Sequence, residues 1–136
     1  RQGKPPVLEK HLRRLLKLKP DHAHALNALG YSFADRNVRL DEARKLITRA
    51  LELAPEDPFI MDSMGWVLFR QGKLEEALKT LETAYGIRAD PEIAAHIGEV
   101  LWTQGRKDEA SRVLAEAVKK FPDSEVLAGA LKKFQP

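Results

Sequence analysis

Three pairs of adjacent carboxylates, Asp41-Glu42, Glu75-Glu76 and Asp108-Glu109, are the side chains of this 136-residue chain whose type best suits acid–base work. Each pair opens the same kind of segment: DEARKLITRALELAP, EEALKTLETA and DEASRVLAEAVKKFP. An active site needs one copy, so three copies at equivalent places point to structure. Acidic residues favour the positive end of a helix dipole, and that preference accounts for all three pairs. Of the four histidines, His11, His22, His24 and His96, two lie only two residues apart, which on a helix points them different ways. No H-E-x-x-H spacing occurs, so His22 and His24 read as solvated or capping groups at a helix junction. There is no cysteine to act as nucleophile, zinc ligand or disulfide partner. Ser32, Ser63, Ser111 and Ser124 lack a G-x-S-x-G setting, and neither a P-loop nor a dinucleotide fingerprint is present. The expectation is a protein that is not an enzyme and holds no cofactor or metal.

What positions these acids is a repeat. Gly30, Gly65 and Gly98 lie in the matching windows LNALGYSFA, MDSMGWVLF and IAAHIGEVLW, at intervals of 35 and 33 residues. Each is followed 13, 12 and 12 residues later by Ala43, Ala77 and Ala110, so the first repeat carries one extra residue in its turn, DRNVR. Periods of this size belong to stacked helical hairpins. The pattern predicts eight helices, over about residues 6–18, 23–35, 40–53, 58–70, 73–86, 91–103, 106–120 and 123–134. Leu8, Leu12, Leu15 and Leu16 mark the apolar face of the first, and Leu74, Leu78, Leu81 and Ala84 that of the fifth. Pro20, Pro55 and Pro122 end helices, whereas Pro58 and Pro91 suit a first helical turn behind the caps Asp57 and Asp90. Gly72 and Gly105 supply turn geometry between paired helices. A glycine inside a helix costs roughly 1 kcal/mol against alanine. Gly30, Gly65 and Gly98 should therefore sit at close helix crossings, faced by Ala43, Ala77 and Ala110. Ala50, Ala84 and Ala117 should form the next contact, with the following hairpin.

These residues carry a resemblance to the tetratricopeptide repeat family. Its motif reads here as L-x-x-L-G-x-x-F (Leu26 to Phe33), M-x-x-M-G-x-x-L (Met61 to Leu68) and A-x-x-I-G-x-x-L (Ala94 to Leu101). The second helices match as Ala43…Ala50…Pro55, Ala77…Ala84 and Ala110…Ala117…Pro122; the second repeat departs, with Ala89 where the others place the terminal proline. The resemblance implies an all-α, right-handed superhelical solenoid of antiparallel hairpins. It would divide the chain into 1–22 (the second half of a truncated repeat), full repeats at 23–57, 58–90 and 91–124, and a capping helix at 125–136. The RQG at Arg1-Gln2-Gly3 matches the turns at Gln71-Gly72 and Gln104-Gly105, and the chain has no initiator Met. Both facts suggest a piece of a longer repeat protein, with any targeting signal upstream.

In such a solenoid the residue after each repeat glycine, and the one near four after it, face the concave side: Tyr31 and Ala34, Trp66 and Phe69, Glu99 and Trp102. Phe59 extends the strip, and Asn27, Asp62, Arg70 and His96 border it. An aromatic cluster of Trp66, Phe69 and Trp102 edged by polar groups suits a peptide or protein groove; packing of both Trp residues between layers is the competing reading. Modules of this family that hold acidic carboxy-terminal tails use lysine, asparagine and arginine on that face. The matching places here hold Asn27, Tyr31, Ser63, Glu92 and His96, so an apolar or mixed segment fits better than a carboxylate.

Composition bounds the partner further. With 43% hydrophobic and 32% charged residues the chain reads as a folded protein, and no apolar run approaches the ~20 residues of a membrane span. Residues 1–20 carry seven basic side chains and one acid, formally +6 in a chain of +3. No nucleic-acid motif accompanies them, so the run is taken as solvated and nucleic acid is not an expected partner. The stretch from Leu29 to Tyr85 also resembles bacterial outer-membrane repeat lipoproteins that partner a periplasmic carboxy-terminal processing protease. That likeness implies a non-catalytic adaptor on the periplasmic side of the outer membrane, binding the protease or its substrates; failing it, a cytoplasmic setting stands. A structural or oligomerisation module, and a regulatory domain of a larger protein, remain alternatives.

Overall fold

A computed structural model describes residues 5–135, so the Arg1-Gln2-Gly3 turn and Pro136 lie outside the described residues. Among these, eight α-helices and no strand are found: α1 (Pro5–Leu18), α2 (Ala23–Asp35), α3 (Leu40–Leu53), α4 (Pro58–Arg70), α5 (Leu74–Ile87), α6 (Pro91–Thr103), α7 (Lys107–Lys120) and α8 (Glu125–Lys133). The helices end two residues before Pro20, Pro55 and Pro122, as the restricted backbone ahead of a proline requires. Asp57 Oδ1 accepts from the amides of Phe59 (2.9 Å) and Ile60 (3.2 Å), and Asp90 Oδ2 from those of Glu92 (2.9 Å) and Ile93 (3.2 Å). Two further caps have the same role: His22 Nδ1 accepts from Ala25 N at 3.1 Å, and Ser124 Oγ from Leu127 N at 3.1 Å. By contrast α3, α5 and α7 open on Arg39, Lys73 and Arg106 with no side-chain cap. The acidic pairs occupy their first turns, where their charge offsets the uncapped helix end.

The tight turns follow one scheme built from different residues. Lys73 N donates to Leu68 O and Gly72 N to Phe69 O; Arg106 N and Gly105 N repeat this on Leu101 O and Trp102 O. Both glycines are left-handed, at φ +82° and +84°, the geometry that ends a helix with least strain in a residue without Cβ. In the first repeat Asn37 takes the glycine's place at φ 58°, donating to Ala34 O, and the extra residue is absorbed by Arg39 at φ 48°. An ion-pair web steadies that turn: Glu9 meets Arg13 at 2.8 Å and Arg39 at 3.0 Å, and Arg13 meets Glu42 at 2.9 Å.

Within each hairpin the repeat glycine is where the helices close on each other. A Cβ on Gly30 would lie 2.6 Å from Ile47 Cγ1 and 3.1 Å from Ala43 O; on Gly65, 2.6 Å from Leu81 Cδ2; on Gly98, 2.7 Å from Leu114 Cδ2. The side chain opposite each glycine is thus the large residue one turn beyond the alanine. Ala43 and Ala77 contribute their carbonyls and their lack of bulk. Small–large interlocking of this kind lets the backbones approach while Ile47, Leu81 and Leu114 remain fully buried.

Along the stack, α2 contacts α4, α4 contacts α6 and α6 contacts α8, whereas α3, α5 and α7 make no close backbone contact with one another. Rods that touch on one side and fan apart on the other produce a bend, with α2, α4, α6 and α8 inside it. The buried seam is continuous from Leu26 and Phe33, through Val67, Leu81 and Ile93, to Leu114 and Leu127.

A candidate protein-docking groove

Equivalent caps at His22, Asp57, Asp90 and Ser124 put the four inner helices in a common register. Nine residues past each cap stand Tyr31, Trp66, Glu99 and Lys133; two residues past stand His24, Phe59, Glu92 and Val126. The inner face is read from these rows.

Its floor is a locked cluster. The Trp66 ring lies between Phe69 (centroids 4.8 Å apart, planes at 24°) and His96 (4.1 Å, 22°). The Arg70 guanidinium sits 5.0 Å from the same ring and donates to Ala34 O and Asp35 O, both at 2.9 Å, closing off the carboxyl end of α2. His96 Nδ1–H donates to Asp62 Oδ1 at 2.8 Å, and the Tyr31 ring stands 6.5 Å from the imidazole. Trp66 is 4% exposed, Asp62 7% and His96 8%. These groups therefore form the wall itself. Asp62 does not border it as a solvated polar group, and the indole Nε1 of Trp66 and Oδ1 of Asn27 are buried without a partner among the described residues.

Electrostatics on this face are acidic. Burial pushes the His96 pKa down, but the hydrogen bond and charge of Asp62, with the charges of Glu92 and Glu99, outweigh it and leave the imidazole above its ordinary value. The Tyr31 hydroxyl is raised well above the usual phenol range, first by burial and then by Asp35, Glu92 and Asp62.

The accessible surface lies around this floor. Phe59 is 46% exposed and Val126 47%; Glu92 is exposed between them in the row, and Glu99 is half-buried. A groove of about 230 Å³ runs between α4, α6 and α8, with Trp66 and His96 below, Glu92 and Glu99 on one side, and Val126, Gly129 and Lys133 on the other. Lys133 Nζ approaches Glu99 at 3.9 Å. Trp102 pairs with Phe134 at 5.6 Å, under the Lys107 ammonium at 4.9 Å, and is not part of this lining. The structure thus brings Trp66, Phe69, Arg70, His96, Asp62 and Tyr31 together, with Phe59 and Glu99 at the edge. The contribution of α8 was missed in the sequence, although counting from the cap Ser124 would have placed Val126 and Lys133 in the rows, with Gly129 between them.

No helix among the described residues is long and apolar enough to cross a membrane. Family profiles described as tetratricopeptide repeat match residues 1–58 and 68–133. A TPR repeat-containing protein of Pseudomonas aeruginosa is 51% identical over 86 residues, which cover 63% of this chain and 15% of that protein. The chain therefore spans a small part of its relative's length. Among solved structures, a thermophilic TPR protein of Thermus thermophilus aligns with a TM-score of 0.82 at 20% identity, over 92% of this chain and 70% of its own. The first TPR domain of human RPAP3 aligns at 0.72 and 19%, over 85% and 91%. An O-GlcNAc transferase mutant of Thermobaculum terrenum aligns at 0.75 and 22%, over 82% and 22%. At such identities these structures show the fold alone. Tetratricopeptide repeats are generally protein–protein interaction modules, and proteins built from them are typically non-catalytic scaffolds. In repeat motif, family profile and hairpin stack alike, this chain belongs to the tetratricopeptide repeat family.

Proposed function

We propose that this chain is a non-catalytic adaptor that seats a segment of a partner protein along the inner side of α4, α6 and α8. One observation carries the reading: two large apolar side chains, Phe59 and Val126, stay half exposed at equivalent positions over a floor already fixed by stacking and hydrogen bonds. A preorganised surface loses little conformational entropy on binding, which favours docking there. Of the larger hollows, one over α3 on the outer side, about 600 Å³, is lined by charged and polar side chains such as Arg44, Lys45, Arg49 and Glu52, whereas another, about 500 Å³, is lined in part by Tyr85, Ile97 and Val113. The envelope setting, as an adaptor for a periplasmic carboxy-terminal processing protease or its substrates, rests on the resemblance of residues 29–85 and belongs to this proposal.

The test is positional. A photo-crosslinking amino acid is placed at position 59 or 126 and, as outer controls, at positions 48 and 79, in the full-length protein in its own cells. Adducts of one defined partner at the inner positions alone are the expected result. Equal labelling from the outer positions would move the binding surface elsewhere. Fractionation of the same cells checks the envelope setting, which fails if the protein is recovered wholly in the cytosol.

A further inference from the structure

We propose that the inner groove selects an extended segment in which a lysine or arginine lies three residues from an apolar side chain on either side, the basic group between Glu92 and Glu99 and the apolar groups on Phe59 and Val126. This rests on the inner-face reading above and adds the partner's chemistry. The first support is charge. Glu92 has no ion-pair partner among the described residues, and Glu99 has only Lys133 at 3.9 Å. Two other basic side chains nearby are committed: His96 to Asp62, and Arg70 to the carbonyls of α2. The acidic field is felt in the wall itself, since Glu92 raises the pKa of both His96 and Tyr31.

The second support is spacing. Packed helices lie about 8–10 Å apart, and a chain in the polyproline II conformation advances about 3.1 Å per residue with three residues per turn, so that every third side chain points the same way. Such a segment crossing the inner helices therefore presents matching side chains to equivalent positions about every third residue. In this chain that row reads Phe59, Glu92, Val126, complementary to apolar-x-x-basic-x-x-apolar. The pattern is the same in both chain directions, so a bound segment could run either way.

The third support is Gly129. It lies inside α8, and an added Cβ would meet nothing within 4 Å, as at Gly86 near the end of α5 and unlike Gly30, Gly65 and Gly98. No internal contact offsets its cost to the helix, and it faces the groove beside Val126 and Lys133. Removing a side chain there leaves room for another backbone to come close.

The test uses the full 136-residue chain and short synthetic peptides of the form Leu-x-x-Lys-x-x-Leu in a glycine–serine background, with one control replacing lysine by glutamate and another replacing both leucines by serine. Binding is read by fluorescence anisotropy, and circular dichroism confirms that each variant stays folded. The lysine peptide should bind about fivefold tighter than the glutamate peptide, the upper end for one exposed ion pair, and weaken as salt rises. The chain variant Glu92→Lys should invert that preference, and Gly129→Leu should block both peptides. Equal binding of lysine and glutamate peptides, with loss of both in Phe59→Ser, would overturn the basic selectivity and keep the groove. Binding indifferent to Phe59→Ser and Gly129→Leu would overturn the groove reading as well. No binding of the lysine peptide at millimolar concentration would overturn the proposed motif, and the crosslinking pattern would then decide the inner face separately.

Discussion

Trp66 and Phe59 lie on one helix, yet Trp66 is held between His96 and Phe69 while Phe59 projects half exposed. Around Trp66 the charged groups are held by neighbours: Asp62 by His96, and Arg70 by the carbonyls of Ala34 and Asp35. Around Phe59 the row continues through Glu92 and Val126, which have no such commitments. The difference separates residues that make the inner wall from residues that can meet a partner. Substitutions in the first set should act on stability, and substitutions in the second on binding with stability nearly unchanged.

The largest expected effect is at the floor. Trp66→Ala should cost about 3–5 kcal/mol in urea unfolding, the range for removing a buried aromatic ring. An effect under about 1 kcal/mol would mean that the ring is not part of the core. Next comes a pair of glycine changes of opposite sign. Gly65→Ala forces a Cβ to 2.6 Å from Leu81, and overpacking of that kind costs about 1–3 kcal/mol. Gly129→Ala meets open space and should stabilise by up to about 1 kcal/mol from helix propensity. Matching signs would end the distinction drawn between the repeat glycines and the groove glycine.

A smaller effect is set by pH. His96 has a raised pKa in the folded chain, so the stability it contributes is complete below its unfolded value, near about 6.5, and is lost as pH rises through the higher folded value. The groups facing it are Asp62 on α4, Glu92 and Glu99 on its own helix, and Tyr31 on α2. The melting-temperature gap between wild type and His96→Gln should therefore be widest at about pH 5.5, below the unfolded value, and narrow as pH rises through the folded one. A gap that widens with pH would reverse the assigned sign. Smallest of all, Phe59→Ser should move unfolding by no more than about 0.5 kcal/mol, the usual range for a surface change, while weakening peptide binding. A larger loss would return Phe59 to the wall.

The hairpin stack was legible because it depends on local rules that repeat: caps at Asp57 and Asp90, prolines after helices, glycines at crossings. The extra residue of DRNVR was visible too, but not its solution in two left-handed residues stabilised by charges from α1 and α3. For the groove, the sequence identified the helix face but not depth. Tyr31, Trp66 and Glu99 follow the same rule of spacing, yet whether such a side chain lies in the wall or above it depends on what the next helix presents. His96 and Asp62 meet across 34 positions of chain, and no local pattern encodes that pairing. The participation of α8 was hidden for a different reason: it lacks the repeat glycine, so only its cap reveals its register.

Arg70 ties the end of α4 to the end of α2, whereas at the next joint the matching position is Thr103, whose hydroxyl bonds within its own helix to Glu99 O. The first joint is thus tied at the carboxyl ends of its inner helices, and the second at their middles, where His96 on α6 bonds Asp62 on α4. Under tension the carboxyl ends of α4 and α6 should part before their middles do. A captured segment lying across Phe59 and Glu92 would add a further tie near the amino ends of the same two helices.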